Sequence, residues 1–126
     1  MYYHISERNL DDKILTPRVP VPVMDGEDDY IKRVCFAPSI IQCLHALEPN
    51  KNKLSYAETL YVHIPVDYDG EIHKPTKRAV PDVEDTGEVW FLNKVKLRCI
   101  GKIKAYERFW SCEGKTRWIW LEKYGY

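Results

Sequence analysis

The sequence predicts a single domain of the α+β class, with a split, largely antiparallel β-sheet and one main helix after the second strand. Only residues 38–47 have the apolar spacing of a helical face, whereas short runs of strand-forming residues precede and follow them. A doubly wound parallel sheet would need helices between its later strands, and none is indicated there. The 126 residues fit one domain over 1–126.

The helix prediction depends on the spacing of its apolar residues. Between Ile40 and Leu47, apolar side chains recur at intervals that place them on one face of a helix. Ser39 comes directly before this pattern, and its hydroxyl can accept a hydrogen bond from a backbone N–H of the first turn. We therefore expect Ser39 to be the N-cap.

Five segments have the composition of β-strands, because they are rich in β-branched and aromatic residues and end at polar, Gly or Pro turns. The predicted strands cover residues 2–6, 33–37, 59–64, 88–92 and 95–105, the last with a break at Gly101. Residues 15–22 form an extended loop braced by three prolines, and residues 65–86 form a long polar connection. The aromatic C-terminal region is predicted to form a hairpin around residues 113–115.

Composition and charge exclude several classes of function. Lys plus Arg and Asp plus Glu both number 19, so no net field attracts DNA, RNA or an anionic membrane. No apolar stretch is long enough to span a membrane, and the first residues lack the pattern of a secretory signal. The four cysteines are scattered without the close spacing of zinc ligands. We therefore expect a cytoplasmic protein with free, buried thiols and no metal site.

Common enzyme motifs are absent from the sequence, including the P-loop, the Rossmann glycine triplet, GxSxG and HExxH. What remains is a set of polar residues in loops and at strand edges, beside aromatic residues. The candidates are His4, Ser6, Arg18, Ser39, Asp82, Glu84, Asp85 and Glu88. A histidine in an apolar strand is more often a satisfied core residue than a catalytic one, so His4 alone does not indicate an activity.

The order of several short segments adds a second kind of evidence. The segments are Tyr3-His4-Ile5-Ser6, Leu15-Thr16-Pro17-Arg18, Arg33-Val34-Cys35-Phe36-Ala37-Pro38-Ser39 with its helix, Leu60-Tyr61-Val62 and Val95-Lys96-Leu97-Arg98-Cys99-Ile100-Gly101. In this order they resemble the histidine-containing branch of the ADP-ribosyltransferase superfamily, and in particular the small rifamycin ADP-ribosyltransferases. The resemblance covers about residues 2–105 and does not extend to the aromatic C-terminal region.

The resemblance implies that NAD binds in a cleft between two half-sheets. It implies that His4 forms a hydrogen bond with the ribose on the adenosine side and that Ser6 and Ser39 belong to the same binding site. Arg18 is expected to approach a phosphate of the nucleotide, since a guanidinium can bind two phosphate oxygens and prolines hold this loop stiff.

The resemblance also implies a stacking residue and a carboxylate. Phe36 or Tyr56 would supply the aromatic face for nicotinamide. Glu88 would hold the second ribose and stabilise the oxocarbenium-like cation that forms when the bond to nicotinamide breaks. Asp82 and Glu84 are the alternative carboxylates. The implied catalytic pair is His4 and Glu88, which we expect to face one cleft.

Three functions are compatible with these observations. The first is an NAD-dependent ADP-ribosyltransferase with an unknown acceptor, for which NAD is a substrate. The second is an inactive module of phage or prophage origin that sequesters NAD-derived nucleotides or blocks a host defence protein; Cys35, where the rifamycin enzymes have Tyr, and the small size favour it. The third is an interaction domain whose aromatic C-terminal region docks on a protein partner.

Overall fold

The computed structural model describes residues 1–20, 26–47, 59–81, 83–107 and 116–125. Within these ranges the chain forms two antiparallel β-sheets and two short helices, an α+β fold with little helix. The elements in chain order are β1 His4–Ser6, β2 Ile14–Leu15, β3 Val34–Phe36, α1 Ile40–Leu47, β4 Leu60–Val66, β5 Ile72–His73, α2 Val83–Thr86, β6 Val89–Phe91, β7 Val95–Glu107 and β8 Thr116–Lys123.

The larger sheet has the strand order β1-β4-β7-β2, and β8 also pairs with β7. Strand β7 is its centre, because β4 pairs along one side and both β2 and β8 pair along the other. The smaller sheet has the order β3-β6-β5, with Cys35 opposite Trp90 in the register of β3 and β6. Every described strand pair is antiparallel, as the sequence predicted.

The two sheets meet along the outer edge of β3. Tyr3 and Ala37 exchange backbone hydrogen bonds of 2.8 and 3.0 Å, and Arg18 and Arg33 exchange a second pair of 3.0 and 2.9 Å. Directly after Tyr3 the chain leaves β3 and pairs with β4 from His4 onward. The sheet is therefore split at His4.

Two apolar clusters form the core, one on each side of this junction. The first lies under α1 and includes Leu44, Val62 and Ile103, all completely buried. The second lies on the face of β3 that carries Phe36 and includes Phe91 of β6. Because side chains alternate along a strand, the residues between them on β3 and β6 point to the opposite face.

Helix α1 and its cap confirm the helix prediction. Ser39 Oγ donates a hydrogen bond to Gln42 Oε1 at 2.8 Å and accepts one from the Gln42 backbone N–H at 3.3 Å. This reciprocal arrangement satisfies a free donor of the first turn. The Ser39 hydroxyl is thus engaged in capping the helix.

The connection predicted over residues 65–86 is more structured than expected. It contains β5, of two residues, and α2, of four. Elements of this length carry too few residues for a period of 2 or 3.6 to stand out in the sequence.

Gly101 does not break the strand that contains it, which corrects the prediction. Strand β7 runs from Val95 to Glu107 without interruption. Gly101 has a φ of +154°, and a Cβ at this position would lie 2.4 Å from the carbonyl oxygen of Glu122 on β8. Glycine is therefore required here for the close approach of two strands, which pair with a register shift next to it.

Candidate functional site

The His4 side chain lies at the point where the two sheets separate. Its Nδ1 donates a hydrogen bond to the carbonyl oxygen of Cys35 at 2.9 Å, and its ring lies 5.6 Å from that of Phe36. On the outer edge of β3, Arg33 forms backbone hydrogen bonds with Arg18, and Ala37 forms them with Tyr3. The Cys35 carbonyl lies between these two pairs, and the His4 imidazole binds it where a neighbouring strand would otherwise supply a backbone N–H.

Burial sets the protonation state of His4, and its hydrogen bond sets the tautomer. Burial lowers the pKa of His4, and the positive charge of Arg18 lowers it further, against the opposing effect of the bond to Cys35. The imidazole is therefore neutral at pH 7, with its proton on Nδ1 and a lone pair on Nε2. Among the described residues, Nε2 has no hydrogen-bond partner.

Two of the predicted binding residues are related to His4, Arg18 through its charge and Ser6 through its place on β1. Arg18 is exposed, its backbone is held by Arg33, and its charge is close enough to His4 to affect the pKa of the imidazole. Ser6 is two residues from His4 on β1, so both side chains lie on the same face of the strand. Ser6 Oγ accepts a hydrogen bond from the Arg8 backbone N–H at 3.1 Å, which leaves its own proton free to bind an acceptor.

A second histidine lies beneath His4 and was not selected from the sequence. His63 is fully buried; its Nδ1 donates to the His4 carbonyl oxygen at 3.1 Å, and its Nε2 accepts from the Leu10 backbone N–H at 2.9 Å. Burial lowers the pKa of His63 to about 4. Both ring nitrogens are occupied, so His63 has the role of a core histidine that holds β1 and the segment around Leu10 in place.

The expected stacking residue Phe36 is a core residue. Its side chain is 2% exposed, and its ring stacks on that of Phe91 with centroids 4.0 Å apart. A ring held in this way has no free face for nicotinamide, so the assignment of Phe36 is not supported. The other expected aromatic residue, Tyr56, lies outside the described residues.

The Glu88 side chain lies on the other face of the smaller sheet. Its Oε2 accepts a hydrogen bond from Trp90 Nε1 at 3.0 Å. Burial raises the pKa of the Cys35 thiol and the charge of Glu88 raises it further, which places the carboxylate beside that thiol. Cys35 and Trp90 are opposite each other in register and point away from Phe36, against which His4 packs. His4 and Glu88 therefore have no described contact with each other, and a shared cleft stays a prediction.

Within the described residues, Glu84 and Asp85 do not complete the His4 site. Glu84 is exposed and pairs with Lys77 at 3.1 Å, and Asp85 is exposed on the same short helix. Neither has a described contact with His4. Asp82 lies outside the described residues.

Arg33 is a buried charge that composition could not indicate. Its side chain is 0% exposed, its Nη1 lies 3.1 Å from Asp28 Oδ2, and its Nη2 lies 3.6 Å from Glu27 Oε2. Its guanidinium lies 4.1 Å from the centroid of the Trp90 ring. Among described residues its Nε and Nη2 find no hydrogen-bond partner. This arginine fastens the acidic segment at Asp28 onto the face of the smaller sheet that carries Glu88.

In the described part of the aromatic C-terminal region, the two tryptophans pack against the core. Trp118 and Trp120 are half-buried against the cluster under α1, with ring centroids 5.4 Å apart. Ile119, which lies between the two tryptophans, is 49% exposed, and Leu121, which follows them, is 45% exposed. Trp110, at the start of the predicted hairpin, lies outside the described residues.

Three of the four cysteines, Cys35, Cys43 and Cys99, are free thiols, whereas Cys112 lies outside the described residues. In the described part of the chain, no group of three His, Cys, Asp or Glu residues could hold a metal ion. No helix within the described ranges is long and apolar enough to cross a membrane. Comparison of the chain with protein-family models, curated proteins and solved structures finds no match.

Proposed function

We propose that this protein binds NAD or another nucleotide containing ADP-ribose at the point where its two sheets separate, and that it does not transfer ADP-ribose. The observation that carries the proposal is the free lone pair of His4 Nε2, in a ring whose pKa is lowered by burial and further by the charge of Arg18. In this proposal the cleft is that of an ADP-ribosyltransferase-like fold that has kept nucleotide binding.

The chemistry of the three side chains matches a sugar next to a phosphate. A ribose hydroxyl can donate its proton to the neutral Nε2 of His4. Arg18 can bind phosphate oxygens through two N–H groups, and the Ser6 hydroxyl can donate to a third oxygen. His4 is held by its bond to Cys35, so its acceptor is in place before a ligand arrives, which reduces the entropy lost on binding.

Binding without transfer is favoured by the position of Glu88. Breaking the bond to nicotinamide requires a carboxylate near the ribose carbon that develops positive charge. The Glu88 carboxylate lies beside Cys35 and Trp90, on the face of the smaller sheet opposite to His4. Phe36, buried against Phe91, also lacks a free face for the leaving nicotinamide.

A thermal-shift assay combined with a nicotinamide-release assay tests both parts of the proposal. NAD and ADP-ribose should each raise the Tm by several degrees at about 100 times the Kd, because binding only to the folded state adds about 2.7 kcal/mol. Nicotinamide alone should not raise it, and no nicotinamide should be released from NAD. Arg18→Gln should reduce the shift, whereas the exposed Arg78→Gln should not. Release of nicotinamide would contradict binding without transfer, and the lack of any shift would contradict binding itself.

A further inference from the structure

A pocket of about 520 Å³ lies at one end of the smaller sheet, where Glu88 precedes β6 and Lys74 follows β5. It is lined by residues of five segments, among them Tyr2, Pro38, Lys74, Pro75, Glu88 and Val89. This volume lies within the range of small-molecule sites, about 300–1,000 Å³. None of the groups used in the proposed nucleotide site lines this pocket, so it is a separate feature of the molecule.

The Glu88 carboxylate is held firmly at the wall of this pocket. Its Oε2 accepts from the Trp90 indole at 3.0 Å, and its backbone N–H donates to Thr86 Oγ1 at 3.3 Å. Gly87, immediately before it, has a φ of +59°, a conformation that glycine adopts without strain. The turn that presents Glu88 to the pocket is thus built by specific contacts.

The pocket also contains a positive charge that is not paired with Glu88. Lys74 is exposed at the pocket and forms no ion pair with any residue in the described ranges, and the same holds for Glu88. Two opposite charges therefore line one pocket without neutralising each other. A ligand that carries both an ammonium and a carboxylate group would satisfy both.

Most of the other residues that line the pocket are apolar or aromatic, and they define the body of such a ligand. They include Pro38, Pro75, the half-buried Tyr2 and the buried Val89. Proline and tyrosine rings offer flat faces to an aromatic or branched side chain. We propose that this pocket binds a free amino acid with an apolar side chain, with Glu88 on its ammonium group and Lys74 on its carboxylate group.

The proposal is tested by titrating the protein with three related probes while its backbone amides are followed by NMR. L-Phenylalanine carries both charges, phenethylamine lacks the carboxylate, and 3-phenylpropanoate lacks the ammonium group. Saturable shifts at Gly87, Glu88 and Val89 are expected with phenylalanine. Each truncated probe should bind about 5-fold more weakly, as expected from the loss of one partly exposed ion pair in a favourable geometry.

Two variants separate the contributions of the charges. Glu88→Gln should abolish the preference for phenylalanine over 3-phenylpropanoate, and Lys74→Gln should abolish its preference over phenethylamine. Glu84→Gln and Lys94→Gln, exposed residues outside the pocket, should leave both preferences unchanged. Equal binding of the three probes to the wild type, or no saturable shift with phenylalanine at about 10 mM, would overturn the proposal. Because NAD binding is measured with His4 variants, failure here leaves the nucleotide proposal unaffected.

Discussion

His4 Nδ1 and the carbonyl oxygen of Cys35 are joined by a hydrogen bond of 2.9 Å where the first strand passes from one sheet to the other. The bond occupies a place that a neighbouring backbone would fill in a continuous sheet. It leaves one nitrogen of the imidazole available. The same residue can therefore fasten the split sheet and accept a hydrogen bond from a ligand.

Stability should decrease as the pH falls from about 6.5 towards 4, because burial lowers the pKa values of His63 and His4 in the folded state. The pKa of His63 is about 4 in the folded state and about 6.5 when unfolded, so over this interval the unfolded state binds more protons and gains relative stability. Protonation of His63 Nε2 would also break its hydrogen bond with Leu10, because the protonated nitrogen and the Leu10 backbone N–H are both donors. Between pH 7 and 5 the part of the loss that is due to His63 should be about 2 kcal/mol, measured by denaturant unfolding.

A pair of variants assigns this loss to the buried ring. His63→Gln cannot be protonated and should lose less stability than the wild type between pH 7 and 5, whereas the exposed His73→Gln should behave like the wild type. Asp12 and Asp28, whose pKa values are lowered in the folded state, contribute only below about pH 4. An equal loss in His63→Gln and wild type would show that another group is responsible.

Replacing Arg33 should depend strongly on the size of the substitute. Arg33→Ala removes a buried cation and leaves a cavity over Trp90, so we expect a loss of about 3 kcal/mol in the free energy of unfolding. Arg33→Met should lose at least about 1 kcal/mol less, because its side chain fills the space and removes polar atoms without hydrogen-bond partners. Equal losses in the two variants would mean that charge, and not packing, is the main contribution.

Gly101→Ala should be strongly destabilising, by at least about 2 kcal/mol. Its φ of +154° disfavours a side chain, and the added Cβ would meet both the Glu122 backbone and the Trp120 ring. Gly125→Ala is the matched control, since nothing lies within 4 Å of its Cβ, and it should change stability by less than about 0.5 kcal/mol. Denaturant unfolding compares the two variants. Similar losses of stability would show that β7 and β8 can move apart enough to accept a side chain at position 101.

Ser39→Ala should lower stability by about 1 kcal/mol and leave nucleotide affinity unchanged. The hydroxyl accepts from the Gln42 backbone and has no contact with His4, so its role is to cap α1. Ser39→Asp, which preserves a cap acceptor, should retain most of the stability. A reduced affinity for NAD in a folded Ser39→Ala protein would instead show that Ser39 contributes to nucleotide binding.

The sequence predicts those elements of the fold whose residue pattern lies within one short segment of the chain. The apolar period of α1 and the β-branched runs of the main strands identify their elements, because each depends on residues close together in the chain. The short β5 and α2, in contrast, are too brief to carry a period. The sequence predicts a break at Gly101, because the neighbour on β8 that requires a glycine here is not visible in the sequence.

The site was predictable only in part for the same reason. His4, Ser6 and Arg18 were selected from an ordered set of segments, and β1 and the junction with β3 bring them near one another. Which face Glu88 occupies depends on the register of β6 against β3, a long-range property. Arg33 was missed because a charged residue is rarely buried, and its acidic partners and Trp90 come together only in the fold.

The most direct test of nucleotide binding is a calorimetric titration of wild type and His4→Asn with NAD. The asparagine amide can still donate to the Cys35 carbonyl, but it has no acceptor in the place of Nε2, so the fold should be retained and the ligand bond lost. We expect saturable binding to the wild type and at least about 10-fold weaker binding to a His4→Asn protein of similar Tm. Equal affinity of the two proteins for NAD, or no binding to the wild type at millimolar NAD, would contradict the account.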